Sequence, residues 1–303
     1  MNLFIAVLLV PLSLLCSLIS SLSILCLFKL LLPFMNSVAN LNVSLNLELP
    51  NSTSNIPLIK LISLSDSLVV LSLMLPVIKN ATRKLDETNG DLKVYAQLYK
   101  KSVIYLVIFA ICSAAFAWDF VMSLDPHWFS SLFMWYGMVS YLVSAVSIMA
   151  IISIYLKRKN ALPLFNDNHL HDLTKYMFGF SLLWSYLWFC QFMLQWYANI
   201  PEEAQYFQQR MAQYPLYFWM LIINLVAPFL ILISSSMKRR YQIVFAMGFV
   251  IIFGHYWDFY NQIMPAAVGP FHNFGLMEIG ALVGIGGLFT FVVMNAVSKL
   301  NLE

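Results

Sequence analysis

The chain has 303 residues, of which 61% are hydrophobic and only 10% charged, and its mean hydropathy is +0.77. A soluble domain carries about 25% charged residues, so this composition excludes a soluble enzyme or a nucleic-acid-binding module and requires a polytopic membrane protein. The net charge of +3 is too small to name a partner; the placement of the basic residues carries the information.

Crossing about 30 Å of hydrocarbon takes about 20 apolar residues as a helix. Eight runs qualify, at 5–32, 61–79, 102–122, 131–156, 174–197, 216–236, 242–263 and 275–297. They are continuous rather than alternating, which selects helices over a barrel. The first run lacks a basic leader and a small-residue cleavage site, so it reads as a span rather than a removed signal peptide. The expected fold is an all-α transmembrane bundle of about eight spans. It divides into a divergent N-terminal span and loop (1–60) and the main bundle (61–303).

Basic residues collect in alternate connections: Arg83, Lys84, Lys93, Lys100 and Lys101 in one, Lys157, Arg158 and Lys159 in the next, and Lys238, Arg239 and Arg240 in a third. The intervening segments 33–60, 123–130, 198–215 and 264–274 hold only Lys60 and Arg210. Basic loops face the cytoplasm, which places both termini there. Trp128, Phe129, Trp135, Trp196, Tyr197, Tyr206 and Tyr214 cluster at the outer turns, where interfacial aromatic belts are expected.

This topology gathers titratable groups in the outer half of the membrane. His255 and Asp258 lie past the middle of 242–263, Asp119 lies near the outer end of 102–122, and Glu278 and Asp66 begin inward-running spans. Asp125, His127 and His272 occupy the turns above. Such residues are costly at membrane depth and mark proton or ion paths. For Asp119 and Glu278, snorkelling to the interface is an equal reading. His255 and Asp258 are three residues apart and share a helix face. An acid beside an imidazole makes a pair able to take and release protons; an interhelical hydrogen bond is the alternative.

The segment 174–197 carries a stripe of Ser181, Ser185, Trp188 and Gln195 at helical spacing, with Gln191 beside it. Such a stripe holds waters or glues helices together. At its inner mouth, FNDNHLHDLTK supplies His169, His171 and Asp172, with Asp167 or Asn168 as the expected helix cap. Cys16, Cys26, Cys112 and Cys190 form no CxxC, so disulfide, zinc, iron–sulfur and covalent haem readings lack ligands. Only His255 is deep enough to ligate a membrane haem, and there is no phosphate loop or nucleophile elbow. Paired Gly/Pro-broken spans, the mark of secondary transporters, are missing as well.

The strings WDFVMSLDPHWFSSLFMWYG (118–137), NDNHLHDLTKYMFGFSLLWSYLWFCQFMLQWYANIPEE (166–203) and GHYWDFYNQIMP (254–265) resemble a membrane subunit of bacterial alternative complex III, a quinol:cytochrome c oxidoreductase. Specifically, the chain is similar to the second of that complex's two polysulphide-reductase (NrfD-type) subunits, from about residue 95 to the C-terminus. The resemblance implies two four-helix groups with flanking spans, in the bacterial cytoplasmic membrane. It implies work beside a sister subunit, multihaem and monohaem cytochromes c, an iron–sulfur protein, other small membrane subunits, lipids and a terminal oxidase. Haem and iron–sulfur clusters belong to those partners; this subunit is expected to offer a proton path and a contact for menaquinone or another quinone. Carried over to matching positions, Asp119, Asp125, His127, His255 and Asp258 are outer-side candidates, and His169, His171 and Asp172 inner-side ones. The chain departs from the family in having about eight spans rather than ten, and residues 1–60 do not align. A catalytically silent membrane anchor for the redox subunits is the competing expectation.

Overall fold

The computed structural model describes residues 91–297, with gaps at 126–127, 163–164, 215–216 and 269–275, and scattered residues between 77 and 88. The expected span at 5–32, and that at 61–79 apart from Val77, lie outside the described residues. Among the described residues, with helical positions also scattered over 77–87, seven helices have defined bounds: α1 (Leu92–Phe116), α2 (Phe133–Arg158), α3 (Asp167–Ala198), α4 (Pro201–Gln213), α5 (Trp219–Leu232), α6 (Tyr241–Val268) and α7 (Leu276–Val297). Among the described residues there is no strand. Helices α1, α2, α3 and α6 are long and apolar enough to cross a membrane, as expected of a helical membrane protein.

Local chemistry sets the helix ends. Asp91 caps α1 by accepting from the Lys93 N–H. Helix α2 ends with Asn160 at φ 57°. There the Asn160 N–H donates to the Lys157 carbonyl and the Ala161 N–H to the Leu156 carbonyl, a Schellman closure in which Asn tolerates the left-handed position. Helix α3 is capped by Asn166, neither Asp167 nor Asn168 as expected. Asn166 has the extended backbone a cap needs (φ −119°, ψ 177°), so its Oδ1 accepts from the Asn168 and His169 N–H groups.

The segment 198–215, read from sequence as an outer loop, contains α4. Asn199 in the left-handed region closes α3, Pro201 opens α4, and Glu202 and Glu203 occupy its first turn, where acids complement the helix dipole. The expected span at 216–236 is a shorter helix, α5, which covers only about 21 Å at 1.5 Å per residue. A π turn at Ile222–Val226 interrupts it. Pro228 lacks the N–H that would bond the Asn224 carbonyl, and such a vacancy widens a turn.

Helix α2 lies between α3 and α6. Its inward residues include Ser140, Ala145, Ser147, Ala150 and Ser153, small side chains that let backbones approach closely. On α6, Gly248 sits so near α2 that an added Cβ meets Ile151 Cγ1 at 2.9 Å. Farther along, Gly254 faces the π turn of α5, where a Cβ overlaps the Asn224 side chain. Trp184, Met177, Val143, Ile154 and Ile251 fill the centre of the core.

Candidate functional site

The site forms where α2, α3, α4 and α6 converge at the aromatic end of the bundle. Asp258 (1% exposed) and His255 (2% exposed) both point inward from α6, but they are not partners. The Asp258 carboxylate reaches across to α2, where its Oδ1 accepts from the Tyr136 hydroxyl at 2.6 Å. The Gln262 and Trp184 side chains also face this carboxylate, but no protein group meets hydrogen-bond geometry at its Oδ2. The His255 ring stands edge-on to Trp184, with centroids 5.3 Å apart and planes at 89°, and neither ring nitrogen is hydrogen-bonded. The expected His–Asp pair is therefore replaced by a Tyr–Asp pair between helices. A shared helix face brings side chains near each other, but here the aromatic wall of α3 takes the imidazole and α2 takes the acid.

A cavity of about 30 Å³ adjoins Asp258, lined also by Tyr136, Tyr217, Gln191, Ser130 and Gln262. A water needs about 10–15 Å³, so this space suits one or two waters and is too small for a quinone ring. The lining is polar on several sides. Ser130 Oγ donates to Gln191 Oε1 at 2.7 Å, Trp188 Nε1 donates to the Tyr217 hydroxyl at 3.2 Å, and the buried Gln262 amide has no protein partner.

Helix α4 covers this end. It buries Ala204, Tyr206, Phe207 and Arg210 along one face. Arg210, merely the lone cation of an outer loop in the sequence reading, is 1% exposed. Its Nη2 donates to the Gln262 carbonyl of α6 at 3.3 Å, and its Nη1 donates to the Tyr206 carbonyl at 3.1 Å. Asp125 Oδ2 lies 3.6 Å from Nη1. The guanidinium stacks on the Tyr206 ring at 3.4 Å, and that ring stacks on Trp128 at 3.9 Å. Burial pushes the Tyr206 hydroxyl above its ordinary range despite the opposing pull of Arg210, so the ring stays neutral beneath the cation. Trp128, Tyr206 and Tyr214 are thus interior packing rather than an interfacial belt. Phe129, Trp135, Trp196 and Tyr197 do face outward.

The α3 stripe lies along the same interior. Ser181, Ser185, Trp188 and Gln195 are buried. Ser185 Oγ donates to the Leu182 carbonyl, whereas Ser181 Oγ and the Gln195 amide lack protein partners. Asn224, on the α5 π turn, is buried with its amide likewise unpartnered; the sequence reading missed it, although an Asn four residues before a proline in an apolar run was its signal.

The basic end is looser. His171 Nε2 lies 3.3 Å from Ser235 Oγ, its Nδ1 lies 4.0 Å from Asp172, and Lys175 pairs with Asp172 at 3.1 Å. His169 packs against Phe165. The side chains of Asp119 and Glu278, and all of His127, His272 and Asp66, lie outside the described residues. No three His, Cys, Asp or Glu side chains converge as a metal site among the described residues.

No family model matches the chain, and no curated protein matches it.

Proposed function

We propose that the chain is a membrane subunit of a bacterial quinol:cytochrome c oxidoreductase of the alternative complex III type, and that its own task is to pass protons. The observation that carries this reading is the fully buried Asp258, bonded through one oxygen to Tyr136 and unpartnered at the other, beside a cavity of water size. A carboxyl group held this way has one oxygen fixed and one available to bind and release a proton. The buried, unpartnered atoms of His255, Gln262, Ser181 and Gln195 supply further donors and acceptors along α3 and α6. Buried polar groups ordinarily have partners, so this concentration supports hydration of the interior.

Quinol oxidation releases two protons as two electrons leave for the cytochrome partners. In this proposal the sister subunit oxidises the quinol, and the multihaem and monohaem cytochromes and the iron–sulfur protein hold the redox centres. Quinol contact is made at a subunit or lipid boundary, since the internal cavity does not admit a ring. The resemblance of the three sequence strings supports the choice of complex.

The test is made in the intact complex. Asp258→Asn, alone and with His255→Ala, is expected to lower turnover or proton release, with normal subunit yield. Normal turnover and proton stoichiometry overturn the reading. A loss of assembled complex with unchanged turnover per complex assigns the chain to the anchor role instead.

A further inference from the structure

The opposite end of the bundle carries a second, broad and shallow concavity that is open to its surroundings. Lys157 and Arg158 enter it from the end of α2, Arg239 from the turn before α6, and Asn168 from α3. Asp167 is the single acid in the lining. Among the described residues, none of the three cations lies within 4.0 Å of a carboxylate. They are nonetheless placed. Arg239 Nη1 donates to Asn168 Oδ1 at 2.7 Å, which ties the turn to the start of α3. The Arg158 guanidinium lies over the Phe245 ring, 5.2 Å from its centroid, at the border of polar and apolar surface.

That border suggests what kind of anion fits. One turn along α2 from Arg158 is Tyr155, and one turn along α6 beyond Phe245 is Phe249; both are exposed. The cationic cleft therefore continues into an apolar flank formed by two membrane-length helices. A free phosphate engages only the cleft, whereas a phospholipid uses both parts. Basic pockets between membrane helices favour acidic lipid head groups, and Arg matches phosphate oxygens with its planar fork.

We infer that this cleft binds the phosphate head group of an anionic phospholipid, through Lys157, Arg158 and Arg239. The proposal is independent of the proton reading.

The full-length protein is placed in phosphatidylcholine nanodiscs with and without diphosphatidylglycerol, and retained lipid is counted by native mass spectrometry. Each cation near a membrane surface contributes about 1 kcal/mol, so Lys157→Gln/Arg158→Gln/Arg239→Gln is expected to weaken retention on the order of 100-fold. Lys93→Gln/Lys100→Gln/Lys101→Gln removes the same charge from α1, outside the cleft, and is expected to retain lipid as the wild type does. The single change Lys157→Gln disturbs no contact within the fold and is expected to lower retention severalfold. Equal losses in the two triple variants, or full retention in the cleft variants, overturn the proposal. So does displacement of the lipid by inorganic phosphate, which identifies a free-anion site.

Discussion

The two ends of the bundle handle positive charge in opposite ways. At the aromatic end a single arginine, Arg210, is withdrawn from solvent, and protein groups surround it: two carbonyls, the Asp125 carboxylate and the Tyr206 ring. At the basic end Lys157, Arg158 and Arg239 line an open cleft without a carboxylate partner. A desolvated cation is tolerable only when most of its donors are used; Arg210 donates through Nη1 and Nη2 while its buried Nε has no partner, so the residue has become part of the fold. Cations that remain hydrated need no such partners and stay available to an external anion. Charge at one end is structural, and at the other it serves recognition.

The comparison breaks most readily at Arg210. Arg210→Met removes two hydrogen bonds from a charged group, to the Tyr206 and Gln262 carbonyls, each worth about 1.5–3 kcal/mol, and takes the cation from the part-exposed Asp125, so the expected cost is about 3–6 kcal/mol. Unfolding in detergent titrations should show a loss of that size, with Arg210→Lys intermediate because a point charge cannot make the same fork. A variant as stable as the wild type means that α4 does not close this end. A smaller effect is expected at Tyr136→Phe, which removes a hydrogen bond to an ionisable group worth about 1.5–3 kcal/mol. The same change should move the Asp258 carboxyl band in infrared difference spectra, which loss of packing alone does not do. The smallest effect belongs to the basic end. Asn166→Ala deletes the α3 cap and should cost about 1 kcal/mol, read as a shifted unfolding midpoint. A cost comparable to that of Arg210→Met contradicts the contrast between the two ends.

Much of the fold was legible in the chain itself. The segments 131–156 and 242–263 match α2 and α6 closely, 174–197 lies inside α3, and 102–122 overlaps α1, which starts earlier at Leu92 and ends at Phe116, because hydrocarbon imposes a length on every apolar run. The α3 stripe was legible too, since a periodicity near 3.6 defines a face without knowledge of what that face meets. Helix α4 escaped notice because its polarity reads as a loop in a chain of long apolar spans. Pro201, followed by Glu202 and Glu203, was nevertheless a start signal. The site was half legible. Placing His255 and Asp258 at depth needed only their position in an apolar run. Their assumed pairing failed because nearness along one helix does not say which neighbouring helix offers the better partner.

The sequence by itself therefore determined which runs are long and apolar enough to cross hydrocarbon, which titratable residues lie within them, and which faces of the helices are polar. These are properties of one helix and its solvent, set by hydropathy and helical period. Only the tertiary structure decided that Asp258 bonds Tyr136, that Arg210 seals the end beneath α4, and that Arg158 and Arg239 share a cleft. Those outcomes depend on which helix packs beside which, through Gly248, Gly254 and the small side chains of α2, and on hydrogen bonds between residues far apart in the chain.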